Sequence, residues 1–359
     1  MVTIRGLRAS CQPERSKCGE VIDHVNSGQY IRLAVPRLRW INMAARLDKR
    51  NGLFWELAED YQRFRPEAVD TVACPLCLTE YGLANIADLS REHVVPSKLG
   101  GRSETLTCRR KCNNTHGSRL DSHLINAMRA MDAVEGAAPI PAVLGSDKGK
   151  IVAELLLPSG PEPEPFRIQI VGKASNMEAS DDLRNSLRDG FTLNVQMSFA
   201  FIPERYFRAA FRAAFLSVFK AEGYQYALSV GAEQVRKMLN AEVPVLEKVI
   251  MEAFPEREPS TDLLVMPVRF SDVGEYYSVL LRLRTNRTRY ITVFLPGKPG
   301  SDWSALEALY EHAPRLRLQT IPHGWDSQLF IYLGYDPLFR VRKGMQDRFM
   351  PKVSPTSNA

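Results

Sequence analysis

Two closely spaced cysteine pairs are the residues in this chain best suited to binding a metal ion. Cys74 and Cys77 are separated by two residues, and Cys108 and Cys112 are separated by three. Spacers of about two to four residues let two thiolates from one tight turn bind the same ion, with Zn–S bonds of about 2.3 Å. Four thiolates fill a tetrahedral coordination sphere. The two pairs therefore predict a structural Zn²⁺ site that leaves no position open for catalysis.

A second group of polar residues lies between and after the two pairs. The segment EHVVP (Glu92–Pro96) and a Gly100–Gly101 turn separate the pairs, and Asn113, Asn114 and His116 follow the second pair. An imidazole with an ordinary pKa of about 6.5 can act as a general base at neutral pH. Carboxylate and amide oxygens suit Mg²⁺. If the thiolates hold zinc, this second group stays free for proton transfer and for another cation.

The elements that must position these residues follow from the hydrophobic pattern. Residues 89–95 and 104–107 are predicted as strands joined through the double glycine, and a helix is predicted from near Asn113 to about residue 133. The zinc would then tie the strand pair to the helix start. His93 would lie at the end of the first strand, facing the helix N-terminus. Asp121 is predicted to be a helix partner or cap rather than a ligand.

In their order along the chain, these features resemble the motif of the HNH endonuclease family, in its four-cysteine branch. The resemblance covers roughly residues 72–130 and rests on the EHVVP segment, the double glycine and both cysteine pairs. It implies a ββα-metal fold that cuts nucleic-acid phosphodiesters with a divalent cation. By position, His93 matches the general base that activates water. Glu92 matches the acidic ligand of the catalytic cation, and Asn113 matches its last ligand.

The chain departs from the family pattern at four points. Glu92 stands where Asp is commoner, and Asn113 stands where many members have His. The second cysteine pair encloses one residue more than the usual two, so Asn114 or His116 remains an alternative to Asn113 as the last ligand. The family's middle Asn is missing, and Thr105 is the nearest residue.

The resemblance implies two kinds of metal ion, a structural Zn²⁺ and a catalytic Mg²⁺ or Mn²⁺. Phosphodiester hydrolysis needs a base for water, a cation for the charge that builds on phosphorus, and help for the departing 3′ oxygen. One cation with few protein ligands and several waters could serve the last two needs. We therefore expect a single-metal mechanism that leaves 5′-phosphate ends.

Four basic residues are predicted to contact a nucleic-acid backbone. Arg109, Arg110 and Lys111 fill the second cysteine spacer, and Arg119 follows in the predicted helix. Phosphate contacts weaken with salt and carry no sequence information, so binding should be salt-sensitive and sequence-indifferent. We expect DNA rather than RNA as the partner. A non-catalytic, zinc-stabilised nucleic-acid-binding module is the alternative interpretation. A structural zinc domain that docks a protein partner is a third.

The net charge of +6 is unevenly distributed along the chain. Residues 1–129 hold 20 Lys and Arg against 14 Asp and Glu, whereas residues 130–359 hold 27 of each. The basic excess therefore lies in the part that contains the cysteines, which favours a polyanionic partner there. The N-terminal residues show no secretory-signal pattern, and no apolar run has membrane-spanning length. We therefore expect a cytoplasmic protein with reduced cysteines.

Breaks in the pattern divide the chain into five predicted segments. They are a basic N-terminal segment with an amphipathic helix (1–70), the HNH-like zinc module (71–133), a Gly/Pro-rich linker (134–149), a larger C-terminal domain (150–345) and a disordered tail (346–359). The C-terminal domain is expected to be α+β with a mostly antiparallel sheet. The predicted fold class is thus α+β, with a small ββα-metal module beside a larger α+β domain to which the sequence assigns no role.

Within the C-terminal domain, a stripe of phenylalanines predicts one helix and apolar periodicity predicts another. The first should run from Pro203 to Gly223, and the second over residues 231–254 with a bend at Pro244. The predicted strands of this domain lie at residues 150–157, 166–171, 193–202, 263–270, 276–284, 289–295 and 329–333.

Overall fold

The computed structural model describes residues 2–4, 49–108, 112–114, 117–146, 149–158, 167–171, 176–186, 193–197, 200–259, 261–270, 274–303, 317–320 and 329–333. Two further cysteines of the sequence, Cys11 and Cys18, and the predicted tail 346–359 lie outside these residues. The helices and strands, numbered in chain order, are β1 (Val2–Ile4), α1 (Lys49–Gln62), β2 (Thr71–Ala73), β3 (Glu80–Gly82), β4 (Leu89–His93), β5 (Glu104–Cys108), α2 (Ser118–Val134), β6 (Ile140–Ser146), β7 (Gly149–Leu156), β8 (Arg167–Ile170), α3 (Met177–Ser186), β9 (Leu193–Met197), α4 (Pro203–Glu222), α5 (Tyr224–Ala227), α6 (Val230–Leu239), β10 (Ile250–Pro255), β11 (Leu263–Phe270), β12 (Gly274–Arg284), β13 (Thr288–Pro296), β14 (Arg317–Thr320) and β15 (Leu329–Leu333).

The strands form two larger sheets and two short pairs. One sheet has the order β1-β9-β6-β7-β8 and the other β11-β12-β13-β10-β15-β14, while β2 pairs with β3 and β4 with β5. Every strand pair in the described ranges is antiparallel. The chain is therefore an α+β protein with antiparallel sheets.

The pair β4–β5 and the helix α2 follow each other as the pattern predicts, and the turn between the strands explains the double glycine. Gly100 has a left-handed φ of 86°, which glycine adopts without a steric penalty. A β carbon on Gly101 would lie 1.9 Å from the carbonyl oxygen of Val95. Only glycine fits that approach, so the sequence of the turn is dictated by its backbone.

Helix α2 starts later than the pattern predicts. Residues 112–114 and 117 lie in a π-helical turn, and the α-helix begins at Ser118 rather than near Asn113. A π-helical turn accommodates one residue more than an α-helical turn. The delayed start is consistent with the extra residue between Cys108 and Cys112.

Helix α4 is the centre of the largest core. Every residue from Tyr206 to Phe219 is buried, so the helix is covered on all sides instead of along the single apolar face that its phenylalanines predict. Helices α2 and α6 and strands β11–β13 pack around it. Among the described residues, no helix combines the length and apolar character needed to cross a membrane.

The core around α4 also includes residues of the cysteine-containing segment. Cys74, Val95 and Met128 belong to the same buried cluster as Phe215 on α4 and Val279 on β12. The segments predicted as a separate module and a C-terminal domain therefore share one hydrophobic core. A second, smaller core lies under β6, β7 and α3.

Residues 134–149, predicted as a linker, contain a strand instead. β6 begins at Ile140 and pairs with β7 and β9. Pro141 suggested a break, since proline cannot donate a ladder hydrogen bond. Pro141 lies opposite Glu154 of β7 in the register of the pair, so the proline is accommodated within the strand.

The second predicted helix of the C-terminal half is also only partly present. α6 ends at Leu239, Ala241 has a left-handed φ of 64°, and residues 250–255 form strand β10. β10 pairs with β13 and β15, partners that lie far along the chain. The prediction of one helix over 231–254 was therefore wrong beyond residue 239.

Candidate functional site

The first cysteine pair lies in a tight turn between strands β2 and β3. The Cys74 N–H donates to the Thr79 carbonyl at 2.9 Å, and the Leu78 N–H donates to the Cys74 carbonyl at 2.8 Å. Leu78 adopts a left-handed φ of 57°, which lets the chain reverse within six residues. The turn has the form predicted for a metal-binding knuckle, because it brings the two thiols together from one short segment.

Three of the four predicted zinc ligands come together. The Sγ atoms of Cys74, Cys77 and Cys112 all lie within 4.8 Å of one another. Zn–S bonds of about 2.3 Å in a tetrahedron place sulphurs roughly 3.8 Å apart, so this spacing suits one ion. The backbone N–H of Cys108 also donates to Cys74 Sγ at 3.2 Å, a contact that stabilises a thiolate. The donor set fits a thiophilic metal such as Zn²⁺.

Cys108 is not part of this group of three sulphurs. Its Sγ accepts a hydrogen bond from the Tyr81 hydroxyl at 2.8 Å, and this bond raises the pKa of Tyr81, although burial is the larger cause. The predicted four-thiolate set is thus assembled only in part, with Cys108 supporting the site through its backbone.

The three thiols hydrogen-bond to one another, and these bonds together with burial shift their pKa values. Burial raises the pKa of the Cys74 thiol to about 12. The pKa of Cys77 is held well below its usual range, because Cys112 and Cys74 hydrogen-bond to its sulphur. Hydrogen bonds of Cys112 with Cys74 and with Cys77 raise the pKa of Cys112. A metal ion must displace the remaining protons, so its affinity should fall at acid pH.

Strand β4 places Glu92 and His93 in different surroundings. Successive side chains of a strand point to opposite faces, and Glu92 is buried whereas the His93 side chain is 39% exposed. His93 Nε2 lies 3.7 Å from Oε1 of Glu104, its partner across the strand pair. Arg91 holds the same carboxylate at 2.6 Å. The imidazole is therefore open to solvent beside a fixed carboxylate.

On the buried side of the strand, an acidic cluster surrounds Arg212 of helix α4. Arg212 is 1% exposed. Its Nη2 lies 2.8 Å from Glu92 Oε1, and its Nη1 lies 3.3 Å from Asp121 Oδ1. Neither Nη2 nor Nε makes a directed hydrogen bond to any described residue, so the contact with Glu92 is chiefly electrostatic. Asp121 thus pairs with another helix, and is neither a cap nor a partner within its own helix.

Asn113 and Gly117 complete this cluster. Asn113 Nδ2 donates to Ser90 Oγ at 2.8 Å, which fixes the amide plane. A β carbon on Gly117 would lie 2.7 Å from Asn113 Oδ1, 3.4 Å from Glu92 Oε1 and 3.5 Å from Arg212 Nη2. The carboxylate and amide oxygens predicted as cation ligands therefore approach the same point, which glycine leaves open.

The cluster changes the ionisation of Asp121. Burial raises its pKa from 3.8 to about 7, the Glu92 charge adds to this shift, and Arg212 opposes it. A carboxyl group that titrates near neutral pH in a polar cluster is typical of functional sites, although buried ion pairs also produce it.

Several predicted site residues lie outside the described part of the chain. These are Arg109, Arg110, Lys111 and His116. Arg119 is described and exposed in the first turn of α2, and Asn114 is exposed beside Asn113. Of the predicted phosphate contacts, only Arg119 can therefore be placed.

The sequence pattern did not identify Arg212 as a site residue. Arg208 and Arg212 are spaced four apart within a stripe of Phe and Ala that predicts a buried helix face. Buried arginines need acidic or carbonyl partners, so two arginines on a face that is predicted to be buried indicate that such partners exist. The residues that pair with Arg212 could not be identified without the fold.

Comparisons with known proteins identify no relative, since no family model, no curated protein and no solved structure matches the chain.

Proposed function

We propose that this protein is a metal-dependent HNH-type endonuclease that hydrolyses nucleic-acid phosphodiester bonds. The observation that supports it most is the convergence of Glu92 Oε1 and Asn113 Oδ1 at Gly117. Glu92 is also the direct neighbour of His93 on β4. Both oxygens come from the positions that the family resemblance assigns to the catalytic cation. The ββα order of β4, β5 and α2 also agrees with that family's fold.

In this proposal His93 takes the proton from the attacking water. Its partial exposure leaves the ring accessible to substrate, and its Nε2 lies 3.7 Å from Glu104 Oε1. Arg91 keeps Glu104 in place through contacts of 2.6 to 3.0 Å.

Glu92 and Asn113 would hold a Mg²⁺ or Mn²⁺ ion. When bound, such a cation stabilises the charge that develops on phosphorus and on the departing oxygen. The carboxylate and amide donors suit a hard cation, and Gly117 has no side chain to fill the space between them, which Arg212 Nη2 also faces.

Cys74, Cys77 and Cys112 would hold a structural zinc that ties the β2–β3 turn to the start of α2. Cys108, whose backbone N–H donates to Cys74 Sγ, stays the fourth member of the proposed zinc-binding set. Arg119 and the basic residues 109–111 would contact phosphates of DNA, or less favourably RNA.

Incubation of the purified protein with plasmid DNA and Mg²⁺ or Mn²⁺ tests this function. Wild-type protein should cut the plasmid, and His93→Ala should reduce cutting at least a hundredfold, since a general base typically contributes 10²–10⁴-fold. His123→Ala is the matched control, because the described hydrogen bonds of His123 are with Ile202 and Arg205 and with no candidate site residue. Equal cutting by His93→Ala, or no cutting of any DNA or RNA substrate by the wild type, would contradict the proposal.

A non-catalytic nucleic-acid-binding module is the second candidate, and one observation favours it. The positive charge of Arg212 lies 2.8 Å from Glu92 Oε1, where it could take the place of a cation. This candidate predicts salt-sensitive binding of DNA or RNA that His93→Ala leaves unchanged, with no cleavage.

A further inference from the structure

Arg212 is a buried charge that comes from outside the segment containing the candidate site. It lies on α4, 91 residues beyond Asp121, and it contacts carboxylates on both β4 and α2. A guanidinium group can do this because its donors are arranged in a planar fork. The strand and the helix that carry the candidate cation ligands are therefore joined through a residue of a third element.

The contact with Glu92 is asymmetric. Arg212 Nη2 lies 2.8 Å from Oε1, and no described residue donates a hydrogen bond to Oε2. Asn113 is held in a similar way, since its Nδ2 donates to Ser90 and its Oδ1 faces Gly117. In each side chain one polar atom makes the described contact, and the other oxygen accepts no hydrogen bond from a described residue.

We propose that Arg212 is a positioning residue of the candidate cation site, which orients Glu92 and offsets its repulsion with Asp121 so that a divalent cation can bind. This inference rests on the proposed function. It assigns α4, and with it the C-terminal half of the chain, a direct part in forming the site.

Charge balance supports this role. The guanidinium of Arg212 contacts both carboxyl groups, so the cluster holds two acidic groups and one basic group. Without Arg212, Glu92 and Asp121 would repel each other in a poorly solvated site. Glu92 would also lose the ion pair that joins it to α4.

Helix α4 offers a matched control. Arg208 is buried one turn before Arg212, but it contacts Glu204 and the Met238 carbonyl and neither carboxylate of the cluster. Arg208→Met and Arg212→Met remove the same group from the same helix, so a general effect of losing a buried arginine should appear in both variants.

The test is Mn²⁺ binding to the full-length, zinc-loaded protein, measured by electron paramagnetic resonance without substrate. Wild type, Arg208→Met, Arg212→Met, Arg212→Lys and Glu92→Gln are compared, with circular dichroism to check folding. We expect a Mn²⁺ site in the wild type that Glu92→Gln abolishes and that Arg208→Met leaves within about twofold. Arg212→Met should weaken it at least tenfold.

Arg212→Lys keeps the charge but cannot bridge both carboxylates, so we expect an intermediate loss of about threefold. It serves as the deciding variant if Arg212→Met does not fold. Unchanged or tighter Mn²⁺ binding in the folded Arg212 variants would overturn the inference alone, and tighter binding would identify Arg212 as a competitor of the cation. No Glu92-dependent Mn²⁺ site in the wild type would overturn both the inference and the proposed function.

Discussion

At the scale of single residues, the acidic cluster combines groups whose ionisation depends on one another. Glu92, His93, Asn113 and the cysteines could be identified from the sequence because their types and short spacings are themselves informative. Arg212 could not, since nothing local relates a residue of α4 to a strand more than 90 residues earlier. The pairing of Asp121 with Arg212 instead of with its own helix has the same cause.

Asp121 should make the stability of the protein depend on pH. Its folded pKa of about 7 lies above its ordinary value of 3.8, so the folded state holds a proton that the unfolded state has lost between these values. The free energy of unfolding should therefore fall as pH rises from about 4 to about 7, by at most about 4 kcal/mol from this group at 1.36 kcal/mol per pKa unit.

Urea unfolding of wild type and Asp121→Asn across this pH range, without added divalent cation, measures that contribution. The variant should show a flatter pH dependence, because it has no proton to release. Glu67→Gln, at an exposed loop position, is the control and should keep the wild-type slope. Parallel curves for wild type and Asp121→Asn would show that Asp121 is ionised throughout.

At the scale of elements, local patterns predicted the strands well where their pairing partners are close in sequence. β11 was predicted at its observed bounds, and it pairs with the next strand, β12. Residues 250–254 were predicted as helix, but they lie in β10, which pairs with β13 and β15, strands that are distant in sequence. Non-local pairing overrode the local preference.

The metal centre links two elements, and its cysteines should not be equivalent. Cys112 Sγ lies in the group of three sulphurs at the start of the π-helical turn, whereas Cys108 Sγ accepts from Tyr81. Cys112→Ser should therefore lose most of the bound zinc. Cys108→Ser should retain more of the zinc, because the hydrogen bond from the backbone N–H of residue 108 to Cys74 Sγ does not depend on the thiol.

Zinc content per chain, measured by inductively coupled plasma mass spectrometry after gel filtration, decides this point. The wild type should contain about one zinc per chain. Equal losses in both variants would show that all four thiolates bind the ion, as the sequence predicts.

At the scale of the whole molecule, the cysteine-containing segment is part of a larger core. Leu124 and Met128 of α2 are buried in the cluster that surrounds α4. Full burial of one such side chain stabilises a protein by about 1.5–3 kcal/mol, and the total stability of a domain is only about 5–15 kcal/mol. A fragment that ends after Glu135 should therefore not fold cooperatively, even with zinc.

Thermal unfolding of residues 1–135 followed by circular dichroism, beside the full chain, checks this expectation. The fragment should show no cooperative transition and should bind a hydrophobic dye, whereas the full chain should show a cooperative transition. A sharp transition in the fragment would mean that the segment is an independent domain, as its sequence pattern suggests.

The separation between Arg212 and its carboxylates has a consequence for synthesis. Translation adds about 5–20 residues per second, so the 91 residues between Asp121 and Arg212 take roughly 5–18 s to make. During that interval the nascent chain already contains all four cysteines of the proposed zinc-binding set. Its acidic cluster still lacks the guanidinium group that joins β4 to α2. The order of residues along the chain therefore makes the metal centre available first and completes the acidic cluster last.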